Sequence, residues 1–229
     1  YLYFKNFFDQ YPVFFCDLQD VDKTGIKKND FVILGGGGLL DHSPHWNSSI
    51  NKLLKKTPNV IGWGLGFNTH YHEKQKKEKI LFNKFRLIAC RDWQHPAGLS
   101  FLPCVSCMMP QLDKSYTVKR KIGIIEHYDF PINLAFEKTN NKSSLEEILE
   151  MIGSSEIIVT NGYHATYWAT LMGKKVILYN PFSSRHDYFK WSPIRYSGNL
   201  QADIEKAQDY PHAKEECRQL TLEFFEKVK

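Results

Sequence analysis

The sequence is short of several things that would decide its class at once. No apolar run in its 229 residues approaches the ~20 that a membrane-spanning helix needs. No Gly-Lys-Ser/Thr follows its glycine-rich stretches, which excludes the phosphate loop of nucleotide hydrolases. No second Cys-x-x-Cys accompanies Cys104-Val105-Ser106-Cys107, so a four-cysteine zinc site is excluded. Prolines flank that motif in mid-chain, which does not suit a thioredoxin-like redox pair; packed, unbridged thiols are expected. The cysteines number five, and with no secretory segment the odd count argues for a reducing, cytoplasmic compartment, although the first residue is Tyr1 and not Met. Repeats and low-complexity tracts are absent. Basic residues are not interleaved with stacking aromatics, so nucleic acid is not an expected partner.

What is present is ordinary in amount: 42% hydrophobic residues, 24% charged, and a net charge of +5. With 16 Phe and 12 Tyr there is material for a sizeable core. Lysine is in excess over residues 74–84, either as a solvated helix face or as a patch for an anionic membrane surface or phosphorylated substrates.

Short apolar runs bounded by turn residues read as strands at residues 13–16, 31–34, 59–67, 86–90, 121–127, 157–159 and 176–179. Helices are expected at residues 50–56, 71–85, 167–172, 200–208 and 212–228, and in the stretch opening at Ser144, where Glu147 completes a capping box. Residues 113–120 are polar and read as a linker. Strand–helix alternation on both sides of that break predicts an α/β protein with two Rossmann-like parallel-sheet lobes, residues 1–115 and 116–229, the first of them short.

Open α/β sheets bind ligands at the carboxyl ends of their strands, and the unusual residues cluster there. Gly35, Gly36, Gly37 and Gly38 follow a strand directly. Four glycines are costly in entropy and offer nothing to bury, but they let backbone amides approach an anion; the alternative is a tight strand-to-helix turn. His42 and His45 come just after. Asp41, His42 and His45 have no recognised metal-ligand spacing, and no metal is expected. Gly62, Gly64 and Gly66 end the next strand. Arg91 and Asp92 end the following one, to hold an anion or to pair with each other. The segment Thr160-Asn161-Gly162-Tyr163-His164 joins a strand to a helix, with His164 at a helix N-terminus that attracts phosphate or carboxylate; a partly buried structural histidine is the plainer reading. Arg185 follows the last strong strand, and Lys190 comes five residues later.

Taken in order, Phe31-Val32-Ile33-Leu34-Gly35-Gly36-Gly37, Ile61-Gly62-Trp63-Gly64-Leu65-Gly66, Cys90-Arg91-Asp92 and Ile157-Ile158-Val159 leading to Tyr163-His164-Ala165 resemble polysaccharide pyruvyl transferases over about residues 31–190. The resemblance implies a GT-B-like fold. It also implies transfer of the enolpyruvyl group of phosphoenolpyruvate to a sugar of a surface polysaccharide, giving a ketal and phosphate with no further cofactor. His164 then matches the family's histidine at the donor, Arg91 and Asp92 its Arg-Asp pair, and Lys190 a lysine after the last strand. Two residues before the histidine the family commonly has arginine, suited to a carboxylate; here that residue is Gly162. The family's N-terminal glycine-containing segment is also missing.

The expected partners are a saccharide acceptor and a phosphorylated donor, with the inner face of the membrane as a further contact. The donor's anion would meet the glycine-loop amides, a helix N-terminus and Arg91 or Arg185. A glycosyltransferase using a nucleotide sugar is the alternative enzyme, and a non-catalytic glycan-binding subunit is the alternative outside enzymes.

Overall fold

A computed structural model describes residue 4 and residues 7–71 and 78–229. The chain divides into two compact units: Tyr1–Met108 with Ser183–Lys190 and Cys217–Lys229, and Met109–Phe182 with Trp191–Glu216. Each is built on one sheet, and every strand pairing in both is parallel. The α/β class and the parallel sheets expected from strand–helix alternation are therefore present.

Unit 1 holds β1 (Val32–Gly35), β2 (Val60–Leu65), β3 (Leu87–Cys90) and β4 (Ser100–Phe101), in that spatial order. Helix α1 (Pro44–Lys56) connects β1 to β2. Ser43 starts it by accepting from the Trp46 amide, and Pro44 fits its first turn, where the missing N–H is no loss. Side chains alternate across the sheet. Leu34, Val60 and Leu65 bury one face with Ile50, Leu53 and Leu54 of α1. Ile61, Trp63 and Ala89 bury the other with Phe224 and Val228. Those last two belong to the closing helix Ala213–Val228. The indole of Trp63 is fully buried, with the Phe4 and Phe224 rings edge-on at 5.3 and 4.9 Å.

Unit 2 holds β5 (Arg120–Glu126), β6 (Lys138–Asn140), β7 (Ser155–Thr160), β8 (Lys175–Leu178) and β9 (Ile194–Arg195), in the order β6-β5-β7-β8-β9. The direction of winding reverses between β5 and β7. Helices α2 (Leu145–Gly153) and α3 (Tyr163–Leu171) make the crossovers to β7 and β8, α4 (Leu200–Lys206) follows β9, and α5 is Ala213–Val228. The capping box at α2 is complete: Ser144 Oγ accepts from the Glu147 amide while the Glu147 carboxylate accepts from the Ser144 amide. Such caps stabilise by about 1 kcal/mol. Ile122, Ile124, Ile157, Val159 and Ile177 pack on the face covered by Ala207 and the α4 residues Leu200 and Ile204. On the opposite face Gly123 lets Met151 of α2 come close; a Cβ there would sit 2.8 Å from its sulfur.

Some elements differ from expectation. Residues 13–16 form no strand. They run as irregular chain with Phe14 91% exposed, because no neighbouring strand among the described residues pairs with them and apolar content alone cannot satisfy a backbone. Residues 72–77, most of the expected helix at 71–85 and of its lysine patch, lie outside the described residues; residues 78–81 are irregular and Phe82–Lys84 is a single 3-10 turn. Helix α1 starts well before residue 50. Helix α3 starts at Tyr163, so His164 lies inside its first turn. The edge strands β4, β6 and β9 have two or three residues each, too few to show a periodicity. Among the described residues no helix is long and apolar enough to cross a membrane.

Candidate functional site

At the carboxyl edge of unit 1, β1 ends in the glycine loop. Gly36 and Gly37 have φ of +70° and +74°, a conformation that a side chain strains, so glycine is required at both. The loop is lashed to the end of β2: the Gly66 amide donates to Gly37 O (3.0 Å), Leu40 to Gly66 O (3.0 Å) and Asn68 to Leu40 O (2.9 Å). Among the described residues the amides of Gly37, Gly38 and Leu39 reach no acceptor. Gly38 is needed for a different reason: a Cβ there would lie 2.6 Å from Asn68 Cβ. Gly35 carries the Phe4 ring where its Cβ would be.

Asn68 is 5% exposed. Its Nδ2 lies 2.9 Å from His42 Nδ1, and its Oδ1 has no hydrogen-bond partner among the described residues. His42 packs against Trp46 and His70, with ring centroids 5.2 and 5.6 Å away. Asp41 is held through its carboxylate and its amide by the buried Asn47. His45 is exposed on α1. Among the described residues no group of three or more His, Cys, Asp or Glu side chains is arranged to hold a metal ion.

One strand over, Arg91 and Asp92 are both 2% exposed. The Arg91 guanidinium fills the space that a Cβ on Gly66 would need, which is the physical reason for that glycine. Asp92 Oδ2 accepts from the Phe67 amide at 2.7 Å. Burial pushes the Asp92 carboxyl up to about 6; the positive charge of Arg91 and the Phe67 N–H oppose the rise, and the negative charge of Asp187 adds to it. Burial likewise lifts the Cys90 thiol to about 11, which leaves it an inert, protonated group. Gly64, at φ +59°, approaches the backbone carbonyls of Pro103 and Leu102 and serves packing.

Residues 183–190 also belong to unit 1 and pair with the extension of β2: Ser184 N donates to Thr69 O and Thr69 N to Ser184 Oγ, both at 2.9 Å. Arg185 Nε donates to Ser183 Oγ (3.0 Å). Lys190 Nζ sits 4.3 Å from the Trp93 ring centroid, a cation–π contact. The His95 ring stacks on Phe67 at 3.7 Å, and burial lowers its pKa.

Unit 2 has its own carboxyl edge. The reversal between β5 and β7 is where doubly wound sheets of this strand order bind ligands. Thr160 Oγ1, fully buried, donates to Ile125 O and accepts from the Gly162 amide at 3.1 Å. Asn161 is 2% exposed and staples the loop after β5: Oδ1 accepts from His127 N (2.8 Å) and Nδ2 donates to Phe130 O (2.7 Å). Gly162 is the N-cap of α3 and supplies no side-chain cap. His164 follows, half-buried, its ring stacked on Trp168 at 5.2 Å. Tyr163 is 4% exposed, packed along Tyr167. Phe130 stacks on Phe182 at 4.2 Å with His127 beside both. A cavity of about 330 Å³ lies at the amino ends of β5, β7 and β8, lined by Lys121, Glu156, Lys175 and Asp209; opposite charges balance there and no histidine lines it.

The structure therefore gathers Gly35, Gly36, Gly37, Gly38, His42, Gly66, Arg91 and Asp92 on one sheet edge, with Arg185 and Lys190 on a segment packed beside it. Tyr163 and His164 stand on the edge of the other sheet. Sequence reasoning gave no role of their own to Asn68, His70, Asn161 and His127. A signal existed for two of them: Asn68 lies two residues past Gly66, and Asn161 directly follows a buried strand. No family model and no curated protein matches this chain.

Proposed function

We propose that the chain is a transferase of cell-surface polysaccharide biosynthesis, moving a group from a phosphorylated donor to a sugar hydroxyl as the pyruvyl transferases it resembles do, and that its two units are those of a GT-B-like enzyme. The supporting observation is His164 in the first turn of a helix without a side-chain cap, at the carboxyl end of β7 beside the strand-order reversal. The helix amides and dipole favour a donor's phosphate or carboxylate there. An imidazole there can serve as proton donor or acceptor.

In pyruvyl transfer the imidazole's proton goes to the methylene carbon of phosphoenolpyruvate. One sugar hydroxyl then adds to the neighbouring carbon and returns a proton to the imidazole, phosphate leaves with the electrons of its bond to that carbon, and a second hydroxyl adds in its place and gives its proton to the departing phosphate. A placed acid of this kind is worth roughly a hundred- to ten-thousand-fold in rate. The reaction belongs in the cytoplasm, which suits five cysteines that are all unbridged thiols.

A nucleotide sugar is the second donor reading. It is favoured by Gly162 in place of arginine and by the Phe130–Phe182 stack, whose outer ring is 42% exposed and offers a face to a base. Thermal-shift titration separates the readings. Stabilisation by phosphoenolpyruvate supports the first, stabilisation by a nucleoside diphosphate the second, and stabilisation by saccharide alone indicates a non-catalytic glycan-binding subunit.

A further inference from the structure

We propose that the glycine loop of unit 1 and Asn68 form a subsite for a saccharide hydroxyl, with Asn68 as the residue that selects it. The subsite rests on its own geometry; only the role of the bound sugar as acceptor rests on the transferase reading.

Two kinds of unmet polar group lie close together: a Cβ on Gly38 would be 3.1 Å from the carboxamide carbon of Asn68. The amides of Gly37, Gly38 and Leu39 are donors with no acceptor among the described residues. Asn68 Oδ1 is a buried acceptor with no donor among them. Burying a carbonyl oxygen without a partner forfeits its hydrogen bonds to water, so the folded chain holds Asn68 at a cost that a ligand can recover. The side chain has one place to be. Gly38 leaves it room, the bond from Asn68 N to Leu40 O fixes its backbone, and His42 Nδ1 holds Nδ2 at 2.9 Å. With Nδ2 donating, Oδ1 is the atom left to meet a ligand.

A hydroxyl is the group that satisfies both features together, since it donates one hydrogen bond and accepts others. A fully ionised oxyanion such as sulfate brings acceptors only and would set its oxygens against Oδ1. The neighbouring rings suit a sugar too. Trp46 and His70 flank His42, and apolar ring faces of this kind pack against the C–H faces of a pyranose. The carboxamide turned over would offer Nδ2 instead and favour an anion, so sulfate, which has no proton to donate, is the discriminating probe.

The experiment is an amide-resolved NMR titration of the 229-residue chain with the methyl glycosides of glucose, galactose and mannose, and separately with sulfate. At least one glycoside is expected to shift the amides of Gly37, Gly38 and Leu39, and sulfate at equal concentration is not. Removing one particular hydroxyl from that glycoside should weaken binding at least tenfold, a test on the unmodified protein that depends on no variant folding. Asn68→Leu should weaken binding tenfold or more, whereas Asn68→Asp, which keeps an acceptor oxygen, should stay within a few fold. Sulfate moving these amides while no glycoside does, or equal binding to every deoxy-glycoside, overturns the proposal. Glycoside binding here without turnover from any donor would sink the transferase reading and leave the subsite standing. Turnover with an acceptor that leaves these amides unmoved would do the reverse.

Discussion

Replacing Asp92 by asparagine removes a buried charge that the fold tolerates at a cost. Its carboxyl, 2% exposed, is lifted from 3.8 to about 6. The folded chain then holds the proton more tightly than the unfolded chain does. Stability from this group is therefore fully present below the unfolded pKa near 4, falls as pH rises toward 6, and is flat above. At about 1.36 kcal/mol for each tenfold change in proton affinity, the rise is worth roughly 3 kcal/mol. The carboxamide of Asp92→Asn keeps an oxygen to accept the Phe67 N–H and cannot titrate. Urea unfolding of both proteins at pH 4, 5, 6 and 7 isolates the effect. The wild-type minus variant difference should shift by roughly 2 kcal/mol against the wild type across that range, which starts just above the unfolded pKa, in the transition of unit 1 should the two units unfold separately. Subtraction matters because ordinary carboxylates, such as Glu147 held down by the Ser144 amide and hydroxyl, titrate with the opposite sign. Parallel curves for the two proteins from pH 4 to 7 would refute the reasoning. Asp187→Asn, which takes away the charge that helps raise Asp92, should move the window to lower pH.

Three further outcomes follow from the geometry. Gly162 has φ −97°, and a Cβ there would meet nothing nearer than 3.7 Å, so Gly162→Arg should fold normally. On the pyruvyl transferase reading it should tighten phosphoenolpyruvate several-fold in a thermal-shift titration, and no change would count against that donor. Asn161→Ala removes two hydrogen bonds from buried groups and frees the loop at residues 127–130. It should cost about 2–3 kcal/mol in urea unfolding and raise hydrogen exchange at the His127 amide, whose acceptor it deletes. His164→Ala should leave the melting temperature within a few degrees, since the ring is half-buried and stacks on Trp168 at the helix surface, while activity falls at least a hundredfold.

The sheets were legible because their strands are buried on both faces and read as apolar runs: Val32-Ile33-Leu34 and Ile157-Ile158-Val159 announce themselves. The capping residues did the same for α2. Residues 13–16 misled because an apolar run says nothing about whether a partner strand exists. The edge strands β4, β6 and β9 are defined by their neighbours and not by their own residues. At the candidate site, glycine was readable as a chemical type but not as a role. Gly36 and Gly37 turn the chain, Gly38 makes room for Asn68, Gly66 makes room for Arg91, and Gly64 lets two backbones meet. Only coordinates separate these. Asn68 was missed for the same reason: its importance lies in an unmet oxygen 26 residues from the histidine that orients it.

The most direct test of the transferase account is phosphate release. The purified chain is incubated with phosphoenolpyruvate and a panel of oligosaccharides, and separately with nucleotide sugars and the same panel, with His164→Ala beside the wild type. The account predicts saccharide-dependent release of phosphate, or of a nucleoside diphosphate, that the variant loses at least a hundredfold. Release by neither donor across the panel, or equal release by the variant, would contradict it.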